Sequence, residues 1–109
     1  MAVASRTVGR MEVEILYVAD CPNLEQARRA LDAALVESGV DARVRETEIG
    51  DAAMAVTVGM RGSPTILVDG VDAVPSALSE GSLSCRLYRG EGGLLGAPPV
   101  DQLVEALRR

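Results

Sequence analysis

The sequence contains no histidine, lysine, phenylalanine or tryptophan, and each absence closes off a kind of chemistry or packing. Without histidine, the commonest general base and the commonest metal ligand are missing. Without lysine, no Schiff base can form. Tyr17 and Tyr88 are the only aromatic residues, so the core must be assembled from Ala, Val, Leu and Ile. Basic runs are lacking as well. With 11 arginines against 16 acidic residues the net charge is −5, which argues against a nucleic-acid partner, whose phosphates call for a basic footprint. No stretch approaches the roughly 18 apolar residues of a membrane span. Met1 to Arg10, broken by Ser5, Arg6 and Arg10, lacks the apolar centre of a signal peptide. Two cysteines are too few for a disulfide-stapled scaffold, and their spacing matches no zinc finger. The composition predicts a cytoplasmic chain with neither a nucleic-acid nor a membrane partner. Its chemistry must rest on Cys, carboxylates, Arg, Tyr or backbone groups; the oligomeric state is left open.

A chain of 109 residues, 48% of them hydrophobic, makes one domain around one core. Residues 1–11 read as a disordered tail and residues 12–109 as the domain. An apolar strand from Val13 to Val18 is followed by a helix whose Leu24, Ala27, Leu31, Ala34 and Leu35 share one face. Pro22 suits the first turn of that helix, and Gly39 suits its end. Asp41 to Ile49 reads as a charged strand with one slip in its alternation, the mark of an edge strand or a bulge. Asp51 caps a short helix that ends by Gly59. Thr65 to Val68 and Val71 to Val74 form a hairpin around Asp69-Gly70. Pro75 to Pro99 is a long irregular piece with an extended island at Leu83 to Tyr88. A last helix starts near Val100 behind Pro99, turns Leu103, Val104 and Leu107 inward, and ends on Arg108 and Arg109.

Chemistry gathers at two points. Cys21 lies where the first strand gives way to a helix, and unpaired N–H groups with the positive end of the helix dipole favour a thiolate there. Ser63-Pro64-Thr65 opens the third core strand. If Cys21 ends strand one, Pro64 lies at the same end of the sheet, and the strand leaving the Asp69-Gly70 turn runs back towards it. The loop that carries Cys85 therefore departs from the reactive end. The candidate constellation is Cys21 and Cys85 as catalytic thiols, Asp20 as a neighbouring carboxyl, and Ser63, Pro64 and Thr65 as a substrate-binding edge. Tyr17, Arg61, Arg86 and Arg89 stand further out; Tyr17 reads as core and the arginines as solvated surface or anion ligands. A carboxylate beside a thiol opposes its ionisation, and Asp20 can alternatively donate a proton.

This element order, with a cysteine after the first strand and a proline opening the third, resembles the thioredoxin-like superfamily in its minimal form, over about Glu12 to Arg109. The resemblance implies an α/β fold of βαβ-α-ββα order, with a four-stranded mixed sheet of order 2-1-3-4 flanked by helices. It also implies a cis peptide bond at Ser63-Pro64. A Cys-x-x-Cys pair would need a thiol at position 24, where this chain has Leu24. That leaves a single-Cys mechanism or a partner thiol from elsewhere, for which Cys85 is the one candidate. More narrowly, Tyr17, Cys21-Pro22-Asn23, Gly62-Ser63-Pro64-Thr65, Asp69-Gly70 and Ser84-Cys85-Arg86-Leu87-Tyr88 resemble a group of small bacterial thioredoxin-like proteins, some labelled alkylmercury lyase. That label implies carbon–mercury protonolysis by two thiols and a carboxylic acid, mapped onto Cys21, Cys85 and Asp20.

Three readings follow. In the first, Cys21 performs thiol–disulfide exchange on a small-molecule or protein substrate, with Cys85 available as resolving thiol and no cofactor expected beyond a glutathione-type thiol. In the second, Cys21 and Cys85 hold mercury or another soft metal, with lyase chemistry as the extreme case. In the third, the fold is a non-enzymatic module that holds an extended peptide beside Pro64. Whether the chain is an enzyme is open at this level.

Overall fold

Alternation along the first strand, β1 (Met11–Tyr17), decides the layering: Val13 and Ile15 point to one face of the sheet and Leu16 to the other. The computed structural model describes residues 10–74 and 82–109. In chain order β1 is followed by α1 (Leu24–Ser38), β2 (Ala42–Glu48), α2 (Ala52–Val58), β3 (Arg61–Ser63), β4 (Thr65–Val68), β5 (Val71–Asp72), β6 (Ser82–Cys85), β7 (Tyr88–Gly90), β8 (Gly93–Leu95) and α3 (Val100–Leu107). The product is a mixed α/β domain with a four-stranded mixed sheet of order β2-β1-β4-β5. β1 and β2 are parallel, while β1 with β4 and β4 with β5 are antiparallel. In terms of the four strands expected from the sequence, that order is the expected one.

On the first face, Val13, Ile15, Ile66 and Val68 meet Ala27, Leu31 and Ala34 of α1 and Leu103, Val104, Ala106 and Leu107 of α3. On the second face, Leu16 and Leu67 meet Ile49, Ala55 of α2 and Met60, with Leu83 of β6 packed alongside. Each fully buried aliphatic side chain contributes about 1.5–3 kcal/mol, so small aliphatics in two layers replace the aromatic core that the composition denies. α2 is capped as expected: Asp51 Oδ1 accepts from Met54 N at 2.8 Å, and Gly59 closes the helix with a left-handed φ of 80°. Arg28 of α1 donates to both Glu46 oxygens on β2, which holds the Glu46 carboxyl below the usual carboxylate range.

Several boundaries depart from the sequence reading. β1 starts at Met11, which packs on the core, inside the stretch assigned to the tail; residues 1–9 lie outside the described residues. β2 is an edge strand, but its register with β1 runs unbroken from Met11↔Ala42 to Tyr17↔Glu48, so there is no bulge. Pro22 is not in the first helical turn: α1 begins at Leu24, and its first helical hydrogen bond runs from Ala27 N to Asn23 O at 3.0 Å. β5 stops at Asp72 because the Asp72 carboxylate turns back to accept from Val74 N at 3.0 Å. Within the piece read as irregular, the described part holds three short strands, and the expected island at Leu83 to Tyr88 is cut at Arg86-Leu87 into β6 and β7. Residues 75–81 lie outside the described residues. Arg108 does follow α3, but its guanidinium reaches across to Glu37 O at the end of α1, at 3.4 Å. Among the described residues no helix is long and apolar enough to cross a membrane.

Candidate functional site

The chain leaves β1 through a turn from Val18 to Cys21, closed by Cys21 N donating to Val18 O at 3.2 Å. The third residue of that turn is Asp20, at a φ of 59°. A positive φ in this place suits Gly, Asn or Asp and few other residues. The exposed Asp20 carboxyl next to Cys21 therefore has a backbone reason to be an aspartate, independent of any proton it could donate. A second turn, Leu24 N to Cys21 O at 3.4 Å, leads into α1. Cys21 thus sits one turn ahead of the helix and is half-buried. Asn23 lies at the helix start without a side-chain capping bond, and its amide packs so closely on Gly96 that a Cβ there would overlap it.

Ser63 holds the turn to the sheet. Its hydroxyl accepts from Val18 N at 3.1 Å and donates to Cys21 Sγ at 3.0 Å. The Ser63-Pro64 peptide bond is cis, as expected. On its other side Ser63 is the register partner of Cys85 in the parallel β3–β6 pair, and Ser63 O accepts from Arg86 N at 2.9 Å. Cys21 and Cys85, far apart in the chain, therefore flank one serine. Both are free thiols; Cys85 is exposed.

The remaining predicted residues divide sharply. Ser63, Pro64 and Thr65 are all buried, so they form the floor of the site and not an exposed edge. Thr65 Oγ1 donates to Gly62 O at 2.6 Å and accepts from Arg61 N at 3.2 Å. The strand edge beside Ser63, on which an extended peptide would pair, is occupied by β6. Tyr17 is half-buried, less enclosed than expected, and Arg89 is exposed on β7. Arg86, expected to be solvated or to bind anions, is neither: it is 1% exposed and paired with Asp72, Nη1 to Oδ2 at 3.0 Å. Its guanidinium also donates to Thr65 Oγ1 at 3.3 Å and to Val74 O, and it lies 4.5 Å over the Tyr88 ring. Tyr88 in turn donates its hydroxyl to Pro64 O. Asp72 and Tyr88 are the participants that the sequence reading gave no role. Among the described residues no buried side-chain nitrogen or oxygen lacks a hydrogen-bond partner.

Burial pushes the Tyr88 phenol well above its ordinary value; Arg86 opposes the shift, and Asp72 and Cys21 add to it. A phenol with a raised folded-state pKa stabilises the fold at pH values below its unfolded value of about 10 and loses that contribution as pH rises beyond it. The Tyr88 phenolate absorbance is therefore expected to appear only together with alkaline unfolding. An absorbance titration followed in parallel with circular dichroism checks this.

A half-buried thiol that accepts from a serine hydroxyl, with a second cysteine paired to that serine along the backbone, suits sulfur nucleophilicity and soft-ion capture. Among the described residues no three His, Cys, Asp or Glu converge as a metal-binding group. The Ser63→Ala variant is expected to slow alkylation of Cys21 by up to about tenfold, the worth of one charge-assisted hydrogen bond, and to free the Val18 N–H. Timed iodoacetamide labelling with peptide mapping reads the first effect and thermal unfolding the second. Comparison with known proteins returns no family model, no curated protein and no solved structure that matches this chain.

Proposed function

We propose that this chain is a cytoplasmic thiol–disulfide exchange protein on a thioredoxin-like fold, with Cys21 as nucleophile and Cys85 as resolving thiol. The observation that carries the reading is that Ser63, next to the cis-proline, donates to Cys21 Sγ and pairs in register with Cys85. Paired residues on neighbouring strands, about 4.8 Å apart, project to the same face. The β3–β6 pair shifts register between Arg61 and Ser63, and at Ser63 it makes Cys85 the backbone partner of the residue that holds Cys21. The sheet order β2-β1-β4-β5, with Cys21 after β1 and Pro64 before β4, is the order that the resemblance in the sequence implies, and it supports this reading.

The reaction runs in three balanced steps. The Cys21 thiolate attacks one sulfur of a substrate disulfide; a Cys21–substrate disulfide forms and the other half leaves as a thiolate, which takes a proton from solvent. The Cys85 thiolate then attacks Cys21 Sγ, the internal disulfide forms, and the second substrate half leaves as thiolate. Two molecules of a low-molecular-weight thiol reduce the internal disulfide and are themselves oxidised to one small disulfide. Ser63 stabilises negative charge on Cys21 Sγ in the first step, and again when that sulfur is the leaving group in the third. Because β6 already fills the β3 edge, the chain carries within itself the strand that a peptide-holding module would take from a partner.

The two-thiol arrangement also favours a second reading, capture of a mercuric or cuprous ion between Cys21 and Cys85, with Asp20 as the acid that protonates carbon when an alkylmercury bond breaks. One comparison separates the two. Wild type, Cys21→Ser and Cys85→Ser are assayed for reduction of a glutathione mixed disulfide, for mercuric-ion binding and for methylmercury turnover. Reductase activity lost in both variants supports exchange by a pair. Ion capture that needs both thiols, without reductase activity, supports the metal reading.

A further inference from the structure

We propose that Arg86 is the positioning residue of this pair: its buried guanidinium, held by Asp72, Thr65 and Val74 O, fixes Cys85 in register with Ser63 and therefore with Cys21. The inference rests on the exchange reading above and assigns a role that the reading itself leaves open. Along the segment that carries the resolving thiol the side chains alternate: Cys85 exposed, Arg86 buried, Leu87 61% exposed, Tyr88 buried. An apolar residue outside and a charged one inside is the reverse of what burial alone would select.

A buried ion pair is poor value as a stabiliser, since desolvating both charges consumes most of their attraction, and apolar packing of the same volume often does as well. What the arginine adds is direction. Its planar fork has donors at fixed angles, and here they are taken by Asp72 on β5, Thr65 on β4 and Val74 O after β5. The same residue's backbone N–H makes the bond to Ser63 O. Two residues further on, Tyr88 ties the chain to Pro64 O beneath the arginine, which stacks on its ring. Cys85 itself is exposed, and its placement comes from these neighbours. Displacing a reacting group by about 1 Å costs on the order of 10²-fold in rate, so the clamp acts on the second step more than on the first.

The test uses the full chain with dithiobis(nitrobenzoate), one equivalent per protein. Attack by the first thiol releases one coloured thionitrobenzoate, and internal closure of the Cys21–Cys85 disulfide releases a second. Arg86→Lys keeps the charge and loses the fork, whereas Asp72→Asn keeps the shape and loses the counter-charge. In variants that retain wild-type far-ultraviolet circular dichroism, the first release is expected to change by less than about threefold and the second to slow by about tenfold or more. The Cys21–Cys85 couple, equilibrated against reduced and oxidised glutathione, should become more oxidising, a tenfold fall in its equilibrium constant being about 30 mV. A role in stability alone would leave that potential and the ratio of the two releases unmoved. If wild type gives both releases and both variants match it, the positioning role is overturned by itself. If wild type gives no second release, the paired-thiol reading falls and the positioning role falls with it.

Discussion

Replacing Cys21 by serine is expected to abolish disulfide exchange, a loss of about 10³-fold or more. A serine hydroxyl at neutral pH is neither a competent nucleophile toward sulfur nor an acceptable leaving group, and Ser63, which donates to the sulfur, cannot replace it. Cys85→Ser should behave differently. The first attack proceeds, the second does not, and the protein accumulates as a mixed disulfide on Cys21. Pre-steady-state release of a chromogenic thiol, followed by intact mass, separates these two outcomes. Wild-type turnover by Cys21→Ser would remove Cys21 from the mechanism.

The second large effect concerns the ion pair beneath the site. Asp72→Ala is expected to cost about 3–5 kcal/mol of folding stability, because it leaves a guanidinium that is 1% exposed without a counter-charge. Arg86→Met should cost less, since the Asp72 carboxylate, 14% exposed, retains some access to water. Replacing both, Asp72→Leu with Arg86→Met, should recover part of the loss, because neither charge then remains buried. Urea unfolding of the two single variants and the double variant measures all three. Equal stability of Asp72→Ala and wild type would contradict the burial assigned to this pair.

Local patterns made the frame of the fold legible. The apolar run that begins at Val13, the helical spacing of Ala27, Leu31 and Ala34, the Asp51 cap and the Asp69-Gly70 turn are all short-range signals, and each appears in the structure. The same kind of signal brought Cys21 and Pro64 to one end of the sheet. It failed between Ser82 and Pro99, where position depends on distant partners. Leu87 looks like the inward residue of its segment and Arg86 the outward one; Asp72, 14 residues earlier, reverses them. No propensity encodes that pairing. Likewise, nothing local says that β6 will lie parallel to β3, so Ser63, Pro64 and Thr65 read as an open edge when they are a covered floor. The place of Asp20 as a left-handed turn residue could have been read from its position between a strand and a helix.

Peptide mapping after a single turnover reads whether Cys21 and Cys85 act on one substrate in sequence. The reduced protein is mixed with one equivalent of a small disulfide, quenched in acid and digested with trypsin without reduction. Cleavage after arginine puts Cys21 in the peptide Met11–Arg28 and Cys85 in Gly62–Arg86. These two peptides are expected joined by a disulfide, with both halves of the small disulfide released as thiols. A stable adduct of the small thiol on Met11–Arg28, with Gly62–Arg86 still carrying a free thiol, would contradict sequential action by the two thiols.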